Sequence, residues 1–165
     1  MKKIKLAIID KDGTLTETVS GATFVQSPTD QKLIDGVQQA IAKLVSEGYT
    51  LAIASNQGGV AAGHKSLEDA IAEMRYAMEL TGITKACFCP NFNGDHMIYL
   101  HDEEEWGIDI EAVSAPSFRK PDAGMLLWLA DGYSEAIMIG DRPEDEQSAN
   151  NANIPFIHAK DWWIK

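Results

Sequence analysis

Five short runs rich in β-branched and other apolar residues, at positions 4–10, 50–55, 85–89, 136–141 and 155–159, constrain this chain most. Their apolar character is nearly continuous rather than alternating, as in strands covered on both faces of a parallel sheet. Helical segments separate most of them. Over 30–47 the residues Leu33, Ile34, Val37, Ile41, Leu44 and Val45 form one stripe, with Ser27 as cap, Pro28 in the first turn and Gly48 past the end. A second helix is predicted over 66–80, opened by Ser66-Leu67-Glu68-Asp69, a capping box with Asp in place of Glu or Gln. Helices over 122–129 and 144–152 begin beside Pro121 and Pro143. This alternation predicts a doubly wound α/β fold with a mainly parallel five-stranded sheet and right-handed crossovers, in a single domain over 1–165. Segments 16–26 and 90–118 read as irregular, with an edge strand or hairpin at 96–100 inside the second.

Fourteen Lys and Arg against 25 Asp and Glu give a net charge of −11. The average field of such a surface repels a polyanion and disfavours non-specific nucleic-acid binding, though a local basic rim of Lys11, His64, Lys65 and Arg142 could hold one phosphorylated end. The two cysteines, Cys87 and Cys89, stand in one C-F-C and read as reduced thiols of a cytoplasmic protein. Met1-Lys2-Lys3 imitates the start of a secretory signal, but the apolar run behind it ends at Asp10, too short for a signal core. No stretch reaches transmembrane length, so no membrane partner is expected.

In an open parallel sheet, ligands bind beyond the carboxyl ends of the strands. The first strand runs into Asp10-Lys11-Asp12-Gly13-Thr14-Leu15-Thr16, and the second into Ser55-Asn56-Gln57-Gly58-Gly59. Arg119-Lys120-Pro121 precedes a helix, and the fourth strand runs into Gly140-Asp141-Arg142-Pro143-Glu144-Asp145. A carboxylate pair, a hydroxyl, a lysine and a second acidic cluster thus converge on one edge.

This order of motifs resembles the haloacid dehalogenase superfamily of phosphatases, with all four of its motifs present between Asp10 and Asp145. A lone D-x-D says little; four motifs in order, each at a strand end or helix start, say much more. The resemblance implies a Mg²⁺-dependent phosphomonoesterase that passes through a covalent aspartyl-phosphate. Asp10 is then the nucleophile. Asp12 protonates the leaving group and later activates water. Ser55 and Lys120 bind phosphate oxygens. The metal is held by Asp10, Asp141 and the backbone carbonyl of Asp12, an all-oxygen set suited to Mg²⁺. The electrostatics require such cations: a carboxylate about 3 Å from a phosphate dianion, at an effective dielectric near 20, faces roughly 11 kcal/mol of repulsion. Asp145 either accepts from Lys120, holds a metal-bound water, or serves as a negative charge at a helix start.

Segments 13–54 and 56–119 are taken up by helices, strands and one long loop, leaving no room for a large cap domain. The site is expected to be open. The segment 55–63 and Arg119-Lys120-Pro121 look like the capless subclass, which includes heptose-bisphosphate phosphatases, histidinol phosphatases and polynucleotide 3′-phosphatases. Arg119 and Asn56 are the candidate substrate-binding residues, Arg119 for a second anionic group. Sugar-phosphate members often carry a zinc loop. Here Cys89-Pro90-Asn91 lacks its histidine, and Pro116 and Phe118 stand where later cysteines would be. Cys87, Cys89, His96 and His101 fit no familiar zinc spacing, so Cys87 and Cys89 are expected to be strand residues. Trp162 and Trp163 either stack on bases or pack the last strand. The leading expectation is a phosphorylated small molecule as substrate, a sugar phosphate first and a nucleic-acid 3′ end second, acted on by a monomer or small homo-oligomer. An inactive phosphate-binding scaffold is the rival from another class.

Overall fold

The computed structural model describes residues 3–164; Met1 and Lys2, the head of the signal-like start, and Lys165 lie outside it. In chain order the elements are β1 (Lys5–Ile9), β2 (Thr16–Glu17), β3 (Lys32–Leu33), α1 (Val37–Ser46), β4 (Tyr49–Asn56), α2 (Leu67–Thr81), β5 (Lys85–Cys89), β6 (His96–His101), β7 (Glu104–Asp109), α3 (Ile110–Val113), α4 (Gly124–Ala130), β8 (Glu135–Gly140), α5 (Pro143–Asn151), β9 (Phe156–His158) and α6 (Ala159–Trp162).

The sheet has seven strands in the order β7-β6-β5-β4-β1-β8-β9. Each of the five predicted strands is present, and these pair in parallel: β5 with β4, β4 with β1, β1 with β8 and β8 with β9. The predicted count is corrected upward. Residues 96–101 pair antiparallel with β5, and 104–109 pair antiparallel with 96–101, so a hairpin extends one edge. An edge strand or hairpin is expected at 96–100; what the sequence does not reveal is its second strand, because β7, Glu-Glu-Trp-Gly-Ile-Asp, is almost wholly exposed and only Ile108 reaches the core.

Both faces of the sheet are covered. Ala7 and Ile9 of β1 enter one apolar cluster with α1 and α2, while Leu6 and Ile8 enter the other with α4 and α5. Leu6, Ile8 and Ile9 are wholly excluded from solvent, and each such side chain contributes about 1.5–3 kcal/mol. That two-sided burial is the reason β1 reads as continuously apolar.

The first predicted helix is shorter than its stripe. It begins at Val37, behind Gly36 at φ 91°, rather than at residue 30. Ser27 and Pro28 belong to a turn closed by Asp30 N–H on the Ser27 carbonyl at 2.9 Å, and 32–33 pair with 16–17 as a small ladder. The Asp30 carboxylate collects the Ser20 amide, the Ser20 hydroxyl and the Gln26 amide, so it organises a loop instead of opening a helix. Leu33 and Ile34 still pack on the core, from extended chain. The second helix starts as predicted, with Ser66 Oγ accepting from the Asp69 amide at 3.0 Å.

Along the sheet, β4 flanks β1 on one side and β8 on the other, which makes the carboxyl end of β1 the point where strand order reverses. A crevice opens there in doubly wound sheets. Asp10 follows β1, Ser55 lies at the end of β4, and Asp141 follows β8.

Candidate active site

The loop after β1 is wound tightly. The amides of Thr14, Leu15 and Thr16 all converge on the Lys11 carbonyl, at 3.2, 2.9 and 3.1 Å. Gly13 takes φ 80° within that turn, a conformation that glycine adopts freely. A β-carbon there would also collide with the Asp141 carboxylate. Glycine is therefore demanded twice, once by the backbone and once by the neighbouring acid. Thr14 completes the contact from the same loop, its hydroxyl donating to Asp141 Oδ1 at 3.0 Å.

Lys120 is the centre of the site. Its ammonium is buried and donates to Asp10 Oδ1 at 2.8 Å, to Asp145 Oδ1 at 2.6 Å and to the Ala54 carbonyl at 2.9 Å. Burial opposes its charge, but the two carboxylates outweigh that and hold its pKa above the ordinary lysine value. For Asp10, burial is the largest influence and pushes the carboxyl up to about 8, against the opposing pull of Lys120. Asp145 does two jobs proposed as alternatives: Oδ1 pairs with Lys120, and Oδ2 accepts from the amides of Asp141 and Arg142 at the start of α5. Removing either partner from such a buried pair strands a charge, which costs about 3–5 kcal/mol.

Asp10, Asp141 and Asp145 each offer an oxygen within 4.8 Å of the others. When ionised, three carboxylates against the one ammonium of Lys120 leave two negative charges uncompensated. A hard divalent cation with oxygen ligands fits that donor set.

The other predicted residues fall as follows. Ser55 is buried, and its hydroxyl oxygen accepts from Gln57 Nε2 at 2.8 Å. Asn56 is tied to Lys120: its amide donates to the Lys120 carbonyl at 2.9 Å and its oxygen accepts the Lys120 N–H at 3.0 Å. That reciprocal pair spends the Asn56 side chain on holding the lysine segment. Arg119 lies over the Phe92 ring, 5.1 Å from its centroid, and beside Gly58. Asp12 keeps 49% of its side chain exposed while accepting from Lys11 and Gln57. The basic rim is corrected. Lys11 is fully buried and Lys65 pairs with Glu73, which leaves only His64 and Arg142 exposed from that set. Cys87 and Cys89 are buried residues of β5, as expected. Trp162 packs in the core, and Trp163 donates its indole N–H to the Thr14 carbonyl at 2.8 Å. The tail thus braces the first loop rather than offering a stacking platform.

Sequence reasoning missed Gln57 and Glu73. Glu73 is 2% exposed and stands on the apolar stripe of α2 with Ala70, Met74 and Ala77. An acid inside such a stripe signals a buried partner.

Among proteins of known activity, the chain is 29% identical over 154 residues to D-glycero-D-manno-heptose-1,7-bisphosphate 7-phosphatase of Thermosynechococcus vestitus, covering 87% of this chain and 72% of that one. It is also 29% identical to D-glycero-beta-D-manno-heptose-1,7-bisphosphate 7-phosphatase of Haemophilus influenzae, covering 91% and 78%. Among solved structures, D,D-heptose 1,7-bisphosphate phosphatase from B. bronchiseptica, complexed with magnesium and phosphate, superposes with a TM-score of 0.68 at 26% identity, over 93% of this chain and 79% of that one. The resemblance to capless haloacid dehalogenase phosphatases holds in sequence and in fold. Residues 5–145, from β1 into α5, match the model of the family described as polynucleotide kinase 3 phosphatase, and the chain belongs to that family.

Proposed function

We propose that this chain is a Mg²⁺-dependent phosphomonoesterase of an open site, acting on a small phosphorylated metabolite, a sugar phosphate, through an aspartyl-phosphate on Asp10. The observation that carries this reading is the Lys120 ammonium, held at once on Asp10 Oδ1 and Asp145 Oδ1 beside a third carboxylate, Asp141.

Asp10 has one oxygen engaged by Lys120, leaving the other to attack phosphorus. Lys120 and the Ser55 hydroxyl receive charge on the phosphate oxygens. Asp12, half exposed beside this centre, gives a proton to the leaving alcohol and then takes one from water, which attacks the acyl-phosphate. Asp10, Asp141 and the Asp12 carbonyl would hold Mg²⁺, with Asp145 adjoining, and the bound ion supplies the positive charge that keeps Asp10 ionised and offsets the phosphate dianion. Asn56 serves this scheme by fixing the backbone of Lys120. Arg119 grips a second anionic group on the substrate.

A sugar phosphate leads because three independent features agree: the net charge of −11, the reduced basic rim, and the activity of the similar heptose-bisphosphate phosphatases. The second reading, a nucleic-acid 3′-phosphate, is favoured by the description of the matched family. Among the described residues no helix is long and apolar enough to cross a membrane. The two buried, unbridged cysteines support a cytoplasmic setting.

Turnover of p-nitrophenyl phosphate with and without Mg²⁺ tests the reaction class, and no Mg²⁺-dependent release would sink it. A panel of sugar phosphates and bisphosphates beside a 3′-phosphorylated oligonucleotide decides between the substrates. Preference for the oligonucleotide would replace the first reading by the second.

A further inference from the structure

Lys11 stands between the two aspartates of the first loop, yet its side chain is turned fully into the protein. A buried ammonium is costly unless it is paired and hydrogen-bonded. Here Nζ donates to Asp12 Oδ1 at 2.6 Å and to Gln31 Oε1 at 3.1 Å, with Glu73 Oε2 at 3.8 Å behind it. Gln31 is itself immobilised, its amide donating to the carbonyls of Pro28 and Glu73.

The other oxygen of Asp12 is held from a different element. Gln57 Nε2 donates to Asp12 Oδ2 at 3.3 Å and to Ser55 Oγ at 2.8 Å. Gln57 Oε1 accepts from Lys65 Nζ at 2.9 Å, and Lys65 bonds both oxygens of Glu73 at 3.1 Å. The circuit Lys11, Asp12, Gln57, Lys65, Glu73 therefore closes on itself, with two ammoniums balancing two carboxylates. It spans the loops after β1 and β4 and the middle of α2.

A carboxylate on a turn has two soft side-chain torsions, and proton transfer demands a narrow geometry. One donor on each oxygen, from two separate elements, removes that freedom while leaving the carboxylate half open on its outer side. Gln57 orients a second group in the same stroke. Because Ser55 Oγ accepts from Gln57, its own O–H is left for another acceptor; at present it makes only a 3.4 Å contact with the Asn56 carbonyl.

We infer that Lys11 and Gln57, backed by Glu73 and Lys65, are positioning residues that aim the Asp12 side chain at the leaving oxygen. Asp12 enters the step protonated, gives that proton to the leaving oxygen, and is left as the carboxylate that Lys11 and Gln57 stabilise. This rests on the acid–base reading of Asp12. Lys11 is enclosed, so it meets no substrate and acts only through Asp12.

The test compares kcat/KM, which covers the steps up to cleavage of the ester bond, for an activated aryl phosphate and for an alkyl phosphate. An activated leaving group departs without a proton; an alkoxide does not. Lys11→Met should cost the alkyl ester about tenfold more than the aryl ester, a part of the 10²–10⁴-fold range of general acid catalysis. KM for both should stay within about twofold of the original, since no phosphate-binding group is removed. Gln57→Leu should skew the ratio in the same direction, and it carries the test if Lys11→Met does not fold. Asp12→Asn is the reference. If Asp12→Asn skews the ratio and neither positioning variant does, the inference is overturned. If Asp12→Asn itself leaves the ratio unchanged, the acid–base reading falls first, and the inference with it.

Discussion

Trp163, near the end of the chain, donates its indole N–H to the carbonyl of Thr14, in the middle of the loop that follows Asp10. The Thr14 hydroxyl in turn reaches Asp141. A tail residue thereby braces two carboxylate-bearing loops that come from distant parts of the sequence.

Trp163→Phe keeps the ring and removes the donor. A single hydrogen bond of this kind contributes about 0.5–1.5 kcal/mol, so urea unfolding should show a loss of that size. The Mg²⁺ concentration for half-maximal turnover should rise by a few-fold, because Thr14 orients Asp141. Unchanged stability together with unchanged metal dependence would show that the bond does nothing for the loop.

Asp10→Asn should abolish turnover and leave the fold in place, since Lys120 retains Asp145 and the Ala54 carbonyl. Beryllofluoride should form an adduct on the Asp10 side chain of the original protein. Substantial activity in cleanly purified Asp10→Asn protein would sink the covalent mechanism.

Gly13→Ala should weaken Mg²⁺ binding by at least about tenfold, or one decade in the binding constant. Two effects combine there: a left-handed backbone worth about 1–2 kcal/mol for a residue with a side chain, and a β-carbon driven into Asp141. Gly63 has the same φ of 80° with open space around it. Gly63→Ala therefore measures the backbone cost alone. Equal metal affinities in the two variants would refute the collision.

Cys87 and Cys89 should resist a thiol-reactive dye in the folded protein and both react after unfolding. Burial holds both thiols above the ordinary cysteine pKa, which disfavours the thiolate needed for reaction or for binding zinc. Protein prepared without added zinc should carry none in stoichiometric amount. Tightly held zinc would contradict the assignment of both cysteines as interior strand residues.

Asp30 should make folding stability acid-sensitive. The Gln26 amide and the Ser20 hydroxyl and amide stabilise its carboxylate and lower its pKa below the ordinary 3.8. A depressed folded pKa adds stability above the ordinary value, and that addition disappears as pH falls through the folded value. The stability gap between the original protein and Asp30→Asn should thus be open at neutral pH and close below about pH 4. A gap that stays constant down to pH 2 would remove Asp30 from this role.

What the sequence determined by itself was whatever short-range chemistry dictates. Continuous apolar runs meant strands buried on both faces, and motif residues at the ends of those runs had to gather on one edge of a parallel sheet. Asp10, Asp12, Ser55 and Asp141 could be expected together for that reason, and Lys120, which precedes α4 rather than ending a strand, only through the order of the motifs. What only the tertiary structure decided was direction and pairing. Lys11 read as surface charge because lysine usually is; it turns inward because Asp12, Gln31 and Glu73, from three separate segments, meet it there. Residues 30–36 carried a helical stripe but stayed outside the helix, as a short strand and a turn, since Asp30 spends its side chain on the loop at Ser20 and Gln31 on the Glu73 carbonyl of α2. Asp145 combined two roles that local sequence could only offer as alternatives, because whether a carboxylate caps a helix, pairs a lysine or does both depends on which atoms the fold brings within hydrogen-bond reach.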